Sequence, residues 1–127
     1  MNLKEVNSMT LEFLETPLAV VKLNKLIPTE GDFVFTAKTD KEFSLVCEEK
    51  YIPNDTISIE KGWIAFRVVG TLDFSLVGIL SPILNILADE KIGVFAVSTF
   101  DTDYVLLKKD NCDKAKNTLI QNGYDVI

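Results

Sequence analysis

Histidine is absent from the 127 residues, and with it go the commonest general base, the usual activator of serine or cysteine nucleophiles and the commonest metal ligand. Acid-base chemistry would have to run on carboxylates or lysines, so the expectation is a protein that is not an enzyme. Cysteine is scarce as well. Cys47 and Cys112 stand far apart with no CxxC spacing, which suggests neither a zinc site nor a redox pair. In a cytoplasmic chain they are expected as two reduced thiols. Long apolar runs are missing: no uninterrupted stretch approaches the roughly 18 residues that span a bilayer, and no basic segment followed by an apolar run opens the chain. Cytoplasmic localisation is therefore expected, with no membrane partner. Positive charge is in the minority, with 13 Lys and Arg against 19 Asp and Glu, a net charge of -6 and a pI near 4.6. Without a Lys/Arg cluster there is no electrostatic basis for binding nucleic acid or an anionic membrane surface.

What the chain does have is 47% hydrophobic residues, enough for one compact unit or two small subdomains, each marginal alone. The clearest pattern runs from Trp63 to Lys109. Trp63 to Val69 reads as a strand, Gly70-Thr71-Leu72-Asp73 as a turn, and Leu76, Ile79, Leu80, Ile83, Leu84 and Leu87 recur at helical spacing. Pro82 falls inside that stripe. It either bends a helix that begins near Ser75, the preferred reading because the apolar face keeps its phase, or follows Ser81 as a first-turn proline. Lys91-Ile92-Gly93 ends the segment, and strands follow at Val94 to Thr99 and Tyr104 to Lys108. Asp110-Asn111 offers a cap for a short helix marked by Cys112, Ala115 and Leu119, stopped by Asn122-Gly123 before a last strand, Tyr124 to Ile127. Strand, helix, strand, strand, helix, strand is the ferredoxin-like order, an α+β fold with two helices on one face of an antiparallel sheet.

The first half is strand-rich and helix-poor. Thr10 to Glu15, Leu18 to Leu23, Phe33 to Thr39, Phe43 to Cys47 and Thr56 to Ile59 have strand character, punctuated by Pro28, Gly31, Pro53 and Asn54-Asp55. Residues 36–46 faintly repeat 98–107 when Glu42 is set against Asp103 and Phe43 against Tyr104. Two related units are expected, 1–60 and 61–127, the first with its helices shortened or lost near 24–32 and 48–55.

Val69-Gly70-Thr71-Leu72-Asp73-Phe74 leading into Val77-Gly78-Ile79, followed by Ile92-Gly93-Val94 and Ser98-Thr99-Phe100-Asp101-Thr102-Asp103-Tyr104, resembles the second domain of tandem ACT proteins. These are the aspartate-kinase-like family related to the cytosolic arginine sensors. Thr39 to Cys47 is similar to the matching segment of the first ACT unit. The resemblance implies two tandem ferredoxin-like units forming a regulatory sensor without catalysis, a small-molecule ligand, expected to be an amino acid, at an interface between units, and a homodimer. No cofactor or metal is implied. Carried over by resemblance, the ligand-binding positions are Gly78, Ile79, Thr99, Phe100 and Asp103, with Asp73 beside the loop.

The residue types suit such a ligand. A strand-to-helix turn supplies unpaired backbone N-H groups for a carboxylate, and glycine lets it approach. Asp103 or Asp101 can accept an ammonium through a charge-assisted hydrogen bond, and Phe100 can cover an aliphatic portion. The plainer readings stand beside these: Asp101, Thr102 and Asp103 as hairpin turn residues, Asp73 as a cap, Gly78 as a packing glycine, and Glu42 as a solvated strand-end acid. Two rival functions follow, a protein-interaction module that keeps the fold without a ligand, and an enzyme using Asp101 and Asp103.

Overall fold

The computed structural model describes residues 9–69 and 78–127. Asp73 and the Gly70 to Val77 part of the family-like segment lie outside the described residues. The chain divides into two compact units, one made of Glu15–Trp63 and the other of Ile64–Ile127 together with the N-terminal residues through Leu14. The division falls between Trp63 and Ile64, with the first strand in the later unit.

In the 15–63 unit, strands β2 (Leu18–Leu23), β3 (Phe35–Lys38), β4 (Phe43–Glu48) and the first part of β5 (Thr56–Val68) lie in the order β3-β4-β2-β5. All three pairings are antiparallel. Ala19, Val21, Leu23, Leu45 and Cys47 form the core, and Ile27, Val34, Phe43 and Ile52 pack against it. The covering layer is irregular chain in place of helices. A single 3-10 turn, Glu49–Tyr51, follows β4, in keeping with the helix-poor character of this segment.

Two strands expected separately, 56–59 and 63–69, are one strand, β5. Register between β2 and β5 shifts between Leu18 and Val20, which face Trp63 and Glu60 respectively. Gly62 sits in that bulge at φ 84°, a conformation that favours glycine. The polar triplet Glu60-Lys61-Gly62 thus bends a strand without ending it.

The unit holding 64–127 orders its strands β6 (Val94–Ser98), β7 (Asp103–Lys108), the end of β5, β1 (Thr10–Phe13) and β8 (Asp125–Val126). β1 is antiparallel to β5 and parallel to β8. The sheet is therefore mixed where an antiparallel one was expected, because β1 lies between β5 and β8. Burial explains the insertion. Leu11 and Phe13 of β1 join Phe66, Val68, Ile83, Leu87, Val105, Leu107, Ala115, Leu119 and Tyr124 in one core, with the Phe13 and Phe66 rings 4.8 Å apart.

Helix α1 spans Leu80–Asp89 and buries Ile83 and Leu87; helix α2 spans Cys112–Gln121 and buries Ala115 and Leu119. Gly78 has φ 74°, which no α-helix accommodates, so a single bent helix from Ser75 through Pro82 is not formed. Pro82 instead stands in the first turn of α1, where its missing N-H has no intrahelical partner to lose. Ile79 and Leu80 keep their place in the core without that longer helix: Ile79 is 5% exposed, and Leu80 packs against the cluster. Asn111 occupies the cap position of α2 but makes no side-chain capping bond, and the preceding 3-10 turn, Lys109–Asn111, leads the chain in.

Candidate functional site

The β6-β7 hairpin carries Thr99, Phe100 and Asp103, and Gly78 and Ile79 directly precede α1. The hydroxyl of Thr102 donates to the carbonyl of Val68 at 2.9 Å, which fastens the hairpin tip beside the end of β5.

The hairpin is built on threonine. The N-H of Thr99 donates to the carbonyl of Thr102 at 2.8 Å, the Thr99 hydroxyl donates to the same carbonyl at 3.0 Å, and the N-H of Thr102 donates back to that hydroxyl at 3.3 Å. Thr99 thus bonds within the turn through both its N-H and its hydroxyl. Phe100 stands at the tip, 80% exposed. Asp103 is half-buried; its Oδ1 accepts the Ser98 hydroxyl at 2.5 Å, while Oδ2 accepts nothing from the described residues. Ser98 and Asp103 are direct cross-strand partners, a pairing legible from the hairpin register once the turn is known, and Ser98 was missed.

Gly78 is exposed, and a Cβ built on it would meet nothing within 4 Å. Packing therefore does not require glycine there; its positive φ does. The side chain of Ile79 is buried in the core, so what Ile79 can offer a ligand is its backbone. No side chain caps the start of α1, which leaves the first N-H groups of the helix without intrahelical acceptors. Asp101 is exposed, as is Glu42 on the other hairpin.

Behind the hairpin, Arg67 donates from Nε to Glu12 Oε1 at 2.9 Å and from Nη1 to the Tyr104 hydroxyl at 3.4 Å. The bonds to Tyr104 and Glu12 hold the Arg67 guanidinium above its ordinary pKa. Glu12 and Arg67 are register partners, so this cluster fixes β1 against β5 and stands ready-made without a ligand.

The two hairpins share a succession of elements, offset by one residue from the alignment read in the sequence. Strand Phe43–Glu48 with its 3-10 turn 49–51 has the same succession as Asp103–Lys108 with its turn 109–111, so Phe43 corresponds to Asp103 and Thr39 to Thr99. The Thr39 N-H donates to the carbonyl of Glu42 at 3.0 Å, and the Thr39 hydroxyl accepts the N-H groups of Lys41 and Glu42.

Among the described residues no group of His, Cys, Asp or Glu is arranged to hold a metal, and no helix is long and apolar enough to cross a membrane. Both cysteines are free thiols.

Residues 58–121 match the family model described as ACT domain. The chain is 30% identical to the protein Atu0741 of Agobacterium tumefaciens over 94% of this chain and 92% of that one, with a TM-score of 0.85. It also shares its fold with the aspartate kinase of Clostridium acetobutylicum, at 14% identity over 91% of this chain and 34% of that one and a TM-score of 0.67. The regulatory subunit of aspartate kinase from Thermus thermophilus is similar at 7% identity over 88% of this chain and 95% of that one, with a TM-score of 0.60. No curated protein matches the chain. ACT domains are regulatory modules that typically bind amino acids, and the Thermus thermophilus protein is named as a regulatory subunit.

Proposed function

We propose that this chain, which belongs to the ACT-domain family, is a cytoplasmic regulatory sensor without catalytic activity that binds an amino acid. The ligand lies between the start of α1 and the 98–103 hairpin of the 64–127 unit. What supports this reading is an uncapped helix start behind the positive-φ Gly78 and, in the same unit, an acid, Asp103, that keeps one oxygen uncommitted. The backbone N-H groups of Ile79, Leu80 and Ser81 take the ligand carboxylate at the positive end of the helix dipole. Asp103, aligned by Ser98, takes the ammonium, and Phe100 covers the aliphatic portion. Thr99 holds the tip that carries Phe100, and Asp73 contributes from the connecting loop.

We read 15–63 as a second, helix-poor ACT-like unit, as in the tandem proteins related to the arginine sensors; the shared threonine-anchored hairpin supports this. A homodimer completes the assembly. Its support is β6, Val-Phe-Ala-Val-Ser, which pairs only with β7 among the described residues and is the one described strand without a charged residue. Edge strands ordinarily carry charges that discourage pairing with another chain.

Thermal-shift measurements against the twenty amino acids test the reading. A ligand at about 100 times its dissociation constant adds about 2.7 kcal/mol of stability, and Asp103→Asn removes the response. A flat response to all twenty, with a single protein partner recovered in stoichiometric amount, would favour the second reading that β6 also supports: an assembly module that has kept the fold and lost the ligand.

A further inference from the structure

The 15–63 unit holds a cavity of about 630 Å³ lined by Glu15, Thr16, Pro17, Glu48, Glu49, Lys50 and Lys61. It lies where β2 begins and β4 ends, away from the hairpin Thr39–Glu42 of the same unit. The N-H of Glu49 donates to the carbonyl of Pro17 at 3.0 Å and closes its floor.

Two of its carboxylates are held in place by backbone N-H groups distant in sequence. Glu48, only 6% exposed, accepts through Oε2 the N-H of Asp32 at 2.6 Å and of Phe33 at 3.3 Å. Gly31 precedes that pair at φ 113°, and a Cβ there would collide with the Glu48 carboxylate. Glu49 accepts through Oε2 the N-H of Gly62 at 2.9 Å, in the bulge of β5. Each acid thus has one oxygen fixed by the backbone, and its Oε1 accepts nothing from the described residues. Burying a carboxylate is costly unless its oxygens are satisfied, and a site whose polar groups are already oriented binds with less ordering cost.

Lys50, whose ammonium lies 5.2 Å from the Tyr51 ring centroid, and Lys61 also line the cavity. From these groups the geometry points to a second binding site, for a small molecule that carries an ammonium group at one end and an anionic group at the other. The ammonium donates to Glu48 Oε1 and Glu49 Oε1, and the anionic group meets Lys50 and Lys61. This inference is independent of the amino-acid site at the hairpin of the other unit, because no residue is shared between them.

Isothermal titration and amide chemical-shift mapping of the full chain test it, with γ-aminobutyrate and glycine as doubly charged probes and putrescine and succinate as singly signed controls. The expected result is binding of at least one doubly charged probe with shifts at Thr16, Glu49, Lys50 and Lys61, and none from either control. Glu49→Gln keeps an acceptor for Gly62 and removes the charge, Lys50→Met keeps the stem and removes the ammonium, and each is expected to weaken binding about tenfold or more, about 1.4 kcal/mol. Asp103→Asn is expected to leave it unchanged. Shifts confined to the hairpin 98–103, equal binding of putrescine, or full affinity in both the Glu49→Gln and Lys50→Met proteins would overturn the assignment.

Discussion

Two helices end in the same hydrogen-bond pattern on different residues. After α1, the N-H of Lys91 donates to Ala88 and that of Ile92 to Leu87; after α2, the N-H of Gly123 donates to Ile120 and that of Tyr124 to Leu119. Both are Schellman motifs, and both place an apolar residue, Ile92 or Tyr124, against the core. The difference is that Lys91 holds φ 59° with a side chain attached, whereas Gly123 holds φ 95° without one. Lys91→Gly is therefore expected to stabilise the protein by about 0.5–1 kcal/mol, and Gly123→Ala to destabilise it by about 1 kcal/mol or more. Urea unfolding of the two variants checks both signs. Asn122-Gly123 announced its helix end in the sequence, and Lys91-Ile92-Gly93 announced the other. Which residue of that triplet would take the left-handed conformation was not legible, because Gly93 carries the propensity and the buried Ile92 sets the register.

At the scale of elements, the instructive error concerns Pro82. An apolar stripe that keeps its phase through a proline reads as a bent helix, yet Gly78 stands at positive φ and α1 begins at Leu80. The consequence is measurable. A proline in a helix interior costs about 3 kcal/mol, so its replacement there would stabilise strongly. In the first turn, Pro82→Ala is expected to change stability by less than about 1 kcal/mol, with a small loss from the freer unfolded chain. Thermal and urea denaturation decide between these, and a gain near 3 kcal/mol would restore the bent helix. The strand errors have a similar origin. Glu60-Lys61-Gly62 has the composition of a turn, but a glycine bulge uses the same residues to keep a strand going, and only the pairing of Leu18 with Trp63 distinguishes the two.

At the scale of the whole molecule, three weak acids, two buried and one half-buried, link stability to pH. Burial raises the Cys47 thiol above its ordinary value, with the charge of Glu48 adding to it. Burial likewise raises Cys112 and the Tyr124 hydroxyl, and the latter has no hydrogen-bond partner among the described residues. The unfolded chain therefore releases these protons at a lower pH than the folded one. Stability is unaffected below the ordinary thiol value and falls as pH rises past it, first through the cysteines and then, near the ordinary tyrosine value of about 10, through Tyr124. Urea unfolding at about pH 7.5 and about pH 9.5 should show the loss, smaller in Cys47→Ala, while Tyr124→Phe should trim only its upper part. Stability that holds level across that range would refute the linkage.

What the sequence by itself determined was the class of fold and the family. Apolar periodicity marked both helices and the β6-β7 hairpin, the absence of histidine and the acidic balance narrowed the chemistry, and the glycine turn with its following STFDTD pattern marked the family. These are local properties, set by neighbours a few residues apart. Tertiary structure alone decided that the N-terminal strand lies between β5 and β8, that Ser98 aligns Asp103, and that Glu48 and Glu49 are pinned by amides of Asp32, Phe33 and Gly62. Each depends on which distant segment fills a place beside a strand, and that choice is made by burying Leu11 and Phe13 and by satisfying backbone N-H groups, neither of which leaves a periodic trace in the chain.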